Sequence, residues 1–394
     1  MPTGARWTVD YKVFDRANDL VFSRYRGEHA REYDEVIALT LRQPLLRNAG
    51  YGATETKVRI ADLDRDIAFQ RYRLRMMEMV GAAIGAYWDL YFAQQIRDIK
   101  ESSLRVRDRI LRDIEDKVAF GKTARTEATE ARAGIALRKA ERLAARQAVV
   151  EESNRIRGLL GLRKTDGMGV LVVNSSVFTA GRKALDFNGS VNRALQYWPE
   201  VLIARKTVEQ VAVQRDFASN QALPQLDLKG SYGRAGLDIA SGQAMEQALS
   251  RDYPSWSLGL EFRMPIANRQ ASSNAKAAVL RYEQAMMEKE AVELALHNAL
   301  DTKIQKTQQI RDEMHEHRLN VELRQAALEA ALACLDAGKC MVHDVLDKEE
   351  RLNEARVTEL KSRIEGEKAM AAVELAEGTL LDRYGVTLEL VDAL

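Results

Sequence analysis

Hydrophobic and polar positions change period along this chain in an order that occurs twice. In residues 7–14, WTVDYKVF, Trp7, Val9, Tyr11 and Val13 alternate with Thr8, Asp10 and Lys12. A period of two marks a β-strand with one apolar face. The charged, irregular stretch 15–32 reads as a loop. Ile37, Leu39 and Leu41 then alternate with Val36, Ala38 and Thr40. They predict a second strand over 33–46 that Pro44 ends, because proline cannot donate to a sheet ladder. From residue 54 the period lengthens. Ile60, Leu63, Ile67, Leu74, Met77, Ile84, Tyr87, Leu90 and Tyr91 recur at spacings of three, four and seven, a helical stripe close to a heptad seam. At 1.5 Å per residue a helix over 54–118 extends about 100 Å, so it needs helical neighbours along its sides. The stripe breaks at FGKTART around Gly121 and resumes to about Gly158, predicting a long helical hairpin over 54–160.

Residues 161–189 are glycine-dense and form a connector with one apolar run, Val170–Val173, expected as a short strand. A helix is predicted over 190–222. Leu226, Leu228, Gly230 and Tyr232 alternate with Asp227, Lys229, Ser231 and Gly233, predicting a strand over 224–239. A Gly/Ser-rich stretch leads to the next strand, 255–266. There Trp256, Leu258, Leu260, Phe262 and Met264 oppose Ser257, Gly259, Glu261 and Arg263. An apolar face, a polar face and terminal aromatics suit a barrel strand in lipid. Past Pro265 the helical period runs on, breaks at Gly338 and returns from Val342, a second hairpin over 270–384. Pro44 and Pro265 lie 221 positions apart, and Gly121 and Gly338 lie 217 apart. Two landmarks agreeing within a helical turn point to an internal duplication: a first repeat over 1–160, a connector over 161–189 and a second repeat over 190–394. The first repeat has no counterpart of helix 190–222, so the chain reads as truncated at its N-terminus or started at a misassigned codon. The fold class is mainly α with a small β part.

Charge narrows the function. Lysine and arginine number 59 against 58 aspartates and glutamates, so the basic excess of a general nucleic-acid binder is missing. No run of 18 apolar residues encodes a transmembrane helix, and the start lacks a signal peptide's apolar core. Neither observation bears on short, alternating barrel strands. The two cysteines, Cys334 and Cys340, read as lying on one helix, where six residues put them on different faces and make a disulfide between them unexpected. No phosphate loop, nucleophile elbow or Cys/His ligand set is present, so no catalytic residue, cofactor or metal is assigned and an enzyme is not expected.

ALQYWPEVLIARKTVEQVAVQ, ALPQLDLKGSYGRAG, WSLGLEFRMPIANR and LDAGKCMVHDVLDKEERLNEA resemble the TolC-like outer-membrane efflux and secretion channels. QPLLRNAG, VGAAIGAYWDLYFAQQ and FGKTARTEATEAR of the first half fit the same template. The resemblance implies a homotrimer in which each protomer gives four strands to a twelve-stranded barrel and its helical hairpins to a periplasmic tunnel. It implies a passive export conduit in the outer membrane, partnered by outer-membrane lipid, a periplasmic adaptor (membrane fusion protein) and an inner-membrane transporter of RND or ABC type. Four strands cannot close a barrel, and open edges are not tolerated in lipid, so the strands themselves call for oligomerisation.

By the same resemblance the hairpin turns, Gly121, Lys122 and Thr123 in the first and Gly338, Lys339 and Cys340 in the second, are adaptor-docking tips. The alternative is a helix end with no partner. Asp344 and Asp347 match aspartates that line the channel entrance, where a three-fold ring attracts cations and repels anions; the alternative is a solvated face with ordinary ion pairs. Some family members carry an arginine where this chain has Cys340, which removes a salt-bridge latch from the expected entrance. Glu127 aligns with Asp344 in the first half. Pro44 and Pro265 mark the barrel-to-helix junctions. His343 reads as a solvated loop residue, and His315 and His317 diverge on their helix. Trp88 reads as helix packing; Trp7 and Trp256 read as either belt aromatics or core. The competing function is a soluble coiled-coil scaffold, which has no use for strands of alternating polarity ahead of each long helix.

Overall fold

The computed structural model describes residues 3–17, 31–121, 124–163, 169–173, 185–250, 254–337 and 339–388. The chain divides into two compact units, Met1–Ala68 with Ile203–Glu290 and Phe69–Leu202 with Ala291–Leu394. This division cuts across the expected repeats, since each repeat contributes to both units.

The first unit holds an antiparallel sheet of β1 (Arg6–Ala17), β2 (Arg31–Pro44), β3 (Gln225–Asp238) and β4 (Pro254–Arg263), in that spatial order. Register keeps one polarity on each face. Val9 pairs with Leu39, Leu39 with Tyr232 and Tyr232 with Trp256, while Thr8 pairs with Thr40, Thr40 with Ser231 and Ser231 with Ser257. The first set shows its side chains to the outside: Val9 is 74% exposed and Trp256 77%. Trp7 lies on the same open face and is half exposed, so neither tryptophan is core. The second set is knitted together by the Ser231 and Ser257 hydroxyls at 2.8 Å, by Arg42 Nε donating to Asp227 at 2.7 Å and by a Lys229–Glu261 ion pair.

Both outer parts of the expected 15–32 loop are strand. β1 continues to Ala17 and β2 begins at Arg31, because cross-strand pairing, from Arg6–Arg42 to Ala17–Arg31, satisfies the backbone of this charged stretch. β4 stops at Arg263, short of the expected 266, where its partner β3 begins at Gln225. The Gly/Ser-rich stretch after β3 contains a short helix, Ser241–Leu249, that the sequence reading passed over. Its small residues explain it: Ala244 and Ala248 are buried, and a side chain at Gly236 would collide with the Ala244 carbonyl. Beneath it the fully buried Glu35 carboxylate accepts from the Ser241 hydroxyl at 2.6 Å and the Tyr11 hydroxyl at 3.0 Å.

Numbered along the chain, the helices are α1 (Tyr51–Thr54), α2 (Thr56–Ala119), α3 (Arg125–Leu159), α4 (Phe187–Tyr197), α5 (Pro199–Gln221), α6 (Ser241–Leu249), α7 (Arg269–Asp336), α8 (Val342–Ala376) and α9 (Leu380–Arg383). The predicted stripe is the buried one: Leu63, Ile67, Met77 and Leu90 of α2 are all buried. The single helix expected over 190–222 is two. Pro199 has no N–H to donate and disfavours helical backbone in the residue before it; Trp198 is accordingly extended, with φ −71° and ψ 120°. α4 starts early because the Asp186 carboxylate caps it, accepting from the N–H groups of Asn188 and Gly189.

In the second unit Val170–Val173 is not a strand. Among the described residues it has no neighbouring strand, and side chains take the ladder's place: Gln94 donates to the Leu171 carbonyl at 2.9 Å, and the Leu171 N–H donates to Ser153 Oγ at 2.9 Å. Trp88 is buried with Leu360 and Ile364, edge-on to Tyr87 and Tyr91. A second cluster packs Ala194 and Val201 with Leu296, Leu300 and Ala376.

Candidate functional site: the hairpin ends and the barrel junction

The two long hairpins meet at their turns within the second unit. Behind the turns lies one hydrophobic cluster with residues from four helices: Ile110, Ile114 and Val118 of α2, Ala128 and Ala131 of α3, Leu328, Ala331 and Leu335 of α7, and Val342, Val345 and Leu346 of α8. Val345 is completely buried. Further along, a charged cluster joins three of these helices. Ser103 Oγ of α2 donates to Glu349 Oε1 of α8 at 2.6 Å, Arg107 pairs with Glu349 at 3.1 Å and Glu350 at 2.9 Å, and Arg138 of α3 pairs with Glu350 and Glu141. Glu349 is buried, which is affordable only because a hydroxyl and a guanidinium satisfy its oxygens.

The turns themselves are made by different means. In the first, Gly121 sits at φ +70°, a left-handed backbone that costs side-chain-bearing residues about 1–2 kcal/mol, and its N–H donates to the Val118 carbonyl at 3.0 Å. Lys122 and Thr123 lie outside the described residues. In the second, Cys334 and Cys340 form a disulfide with Cα atoms 5.4 Å apart, contrary to the expectation of two unpaired cysteines. The helix-face reasoning failed because α7 ends at Asp336 and α8 starts at Val342; Cys340 lies in the turn and folds back over the end of α7. The Lys339 N–H donates to the Cys334 carbonyl at 3.0 Å. Gly338 lies outside the described residues. Next to each turn stands one strongly exposed apolar side chain, Phe120 at 78% and Met341 at 77%.

Asp344 and Asp347 occupy the first two turns of α8. Asp344 is exposed and accepts the Met341 N–H at 3.1 Å, a helix-capping contact that satisfies an otherwise orphaned donor. Asp347 accepts from Arg351 Nε at 3.0 Å and has Lys348 at 3.5 Å. Desolvation resists its ionisation, but the Arg351 hydrogen bond and the charges of Arg351 and Lys348 outweigh this and hold its carboxyl below the usual range. Glu127 lies in the first turn of α3. His343 is exposed. Among the described residues no group of three or more His, Cys, Asp or Glu is placed to hold a metal ion.

At the end of the sheet Pro44 is the last residue of β2, and Pro265 follows β4 by two residues. Both lead into turns with left-handed asparagines, Asn48 at φ 63° and Asn268 at φ 36°. The end of α5 holds both turns: Asn220 Oδ1 accepts the Asn48 N–H, and Asn268 Nδ2 donates to the Ala222 carbonyl, each at 2.8 Å. The sequence reading did not single out these residues, although an asparagine three or four places after each proline was the available signal.

The sequence model for outer membrane efflux proteins matches residues 190–379. A search of curated proteins finds no match. Among solved structures the chain is similar to CusC, whose structures concern folding and transmembrane channel formation (16% identity, 96% of this chain and 84% of that one, TM-score 0.69). It is similar to the outer membrane protein VceC from Vibrio cholerae (15% identity, 96% and 87%, TM-score 0.68). The open-state outer membrane channel MtrE from Neisseria gonorrhoeae is also similar (14% identity, 96% and 82%, TM-score 0.68). The family match over residues 190–379 takes in just under half of the chain, and the strand pairs and long hairpins give the whole chain the fold of these outer membrane channels.

Proposed function

We propose that three copies of this chain form a passive export conduit: a twelve-stranded barrel in the outer membrane continued by a helical tunnel. The observation that carries this reading is the four-stranded sheet. One face is apolar and exposed, the other is polar, and the outer edges of β1 and β4 have no partner strand among the described residues. In lipid such edges must be paired, and pairing β4 of one protomer with β1 of the next closes the ring. The chain supplies no chemistry; energy comes from an inner-membrane transporter, of RND or ABC type, coupled through a periplasmic adaptor. The adaptor docks on the tips around Gly121 and Lys339–Cys340, where Phe120 and Met341 offer apolar footholds. Asp344 and Asp347, repeated three times, give the entrance a preference for cations.

Stoichiometry and conductance test this. Purified in detergent, the protein is expected to have the mass of three chains and, in planar bilayers, to form cation-preferring pores. Asp344→Asn with Asp347→Asn is expected to reduce that preference while pores still form. A stable monomer that forms no pores sinks the conduit; pores whose ion preference ignores the double substitution sink the assignment of the entrance.

A further inference from the structure

We propose that the Cys334–Cys340 disulfide is a redox-operated staple on the second hairpin turn, which holds the channel mouth narrow while oxidised and lets it widen when reduced. The proposal rests on the reading of the hairpin ends as the channel entrance.

The bond ties the last turn of α7 to the residue before Met341, whose N–H the Asp344 carboxylate accepts at the start of α8. Leu335, next to Cys334, and Val342, two residues past Cys340, pack on the four-helix cluster with Ile114 and Val345. The bridge therefore fixes how the ends of α7 and α8 sit on that cluster. Without it, the bonds left at the turn among the described residues include that of the Lys339 N–H to the Cys334 carbonyl and the α8 cap. The other turn, around Gly121, has no sulfur, so reduction acts on one turn of the pair. Both cysteines are only half-buried, leaving the bond within reach of a dithiol, and Lys339 beside Cys340 favours the departing thiolate.

The chemistry is thiol–disulfide exchange. A thiolate of a dithiol reductant attacks one sulfur of the bridge and forms a mixed disulfide, releasing the other cysteine as thiolate, which takes up a proton. The reductant's second thiolate then displaces the remaining cysteine. Two electrons and two protons pass to Cys334 and Cys340, and the dithiol becomes a disulfide.

The test compares the purified full chain with and without dithiothreitol, alongside Cys334→Ser/Cys340→Ser. Reduction is expected to speed amide hydrogen exchange in residues 335–345 at least tenfold, to leave residues 112–121 unchanged, and to raise single-pore conductance. The serine pair is expected to match the reduced protein and ignore dithiothreitol. Free thiols in the oxidised protein, or exchange equal in both states, overturns the staple. Faster exchange with unchanged conductance overturns its control of the mouth. If no pores form in either state the conduit reading falls, and the control of the mouth with it, while the exchange measurement still decides whether the bond orders the turn.

Discussion

The two hairpin turns do the same geometric job by opposite means. The first reverses the chain at a residue without a side chain, Gly121 at φ +70°, and relies on backbone freedom. The second ties the helix ends together covalently through Cys334 and Cys340. A glycine turn draws its stability from what packs behind it, whereas a cross-link also removes conformations from the unfolded chain. Both turns sit on one shared cluster of α2, α3, α7 and α8. The comparison shows that equal positions in a fold can be held by a local and by a chemical constraint, and that only the second responds to its surroundings.

The largest effect should abolish the difference by disturbing both turns together. Glu349→Ala removes the buried acceptor of Ser103 and one of the two carboxylates that pair with the mostly buried Arg107 guanidinium, leaving it Glu350 alone. Breaking such a pair costs about 3 kcal/mol, read as a lower urea midpoint, with faster exchange at both hairpin ends. Next, reducing the disulfide should cost about 2 kcal/mol by the loop-entropy argument for so short a ring, confined to the second turn. Gly121→Ala should cost about 1 kcal/mol for the left-handed backbone, and since open space surrounds that position no clash adds to it. Its effect should be the same with or without dithiothreitol; a dependence on reductant would mean the turns are coupled. The smallest effect concerns pH. Desolvation opposes ionisation of Glu141, but hydrogen bonds and charge from Lys100 and Arg138 prevail and lower its pKa. Its folded value is depressed, so its contribution is complete above the ordinary glutamate range and lost as pH falls through the folded value. Urea midpoints from pH 7 down to pH 3 should fall less in Glu141→Gln than in the parent chain.

Much of this was legible because periodicity is a property of backbone geometry. The alternation at Trp7–Val13 and Trp256–Phe262 and the stripe from Leu63 to Leu90 became the exposed sheet face and the buried helix face. What escaped depended on where elements end. The cysteines were judged on a helix that stops at Asp336. The split at Pro199 was masked by strong helical sequence on both sides. Helix α6 was hidden because Ser241, Gly242 and Ala244 look like loop, and only the close approach to Gly236 explains their size. Val170–Val173 had a strand's composition but no partner strand among the described residues; Gln94 and Ser153, on two helices, bond its backbone. Pattern carries the faces of an element, whereas its ends and tertiary partners come from residues too distant for a local window.

The middle of the sheet has a consequence for the order of folding. β1 and β2 are neighbours in sequence, as are β3 and β4, but the pairing of β2 with β3 brings Tyr33 against Asp238, with two long helices and the connector in between. Contacts of such separation form slowly, because the chain's search must be completed before they reward it. The helical hairpins close locally and can form first. The sheet is then the last part of the chain to become whole, and until it does each strand pair carries a free inner edge in addition to its outer one.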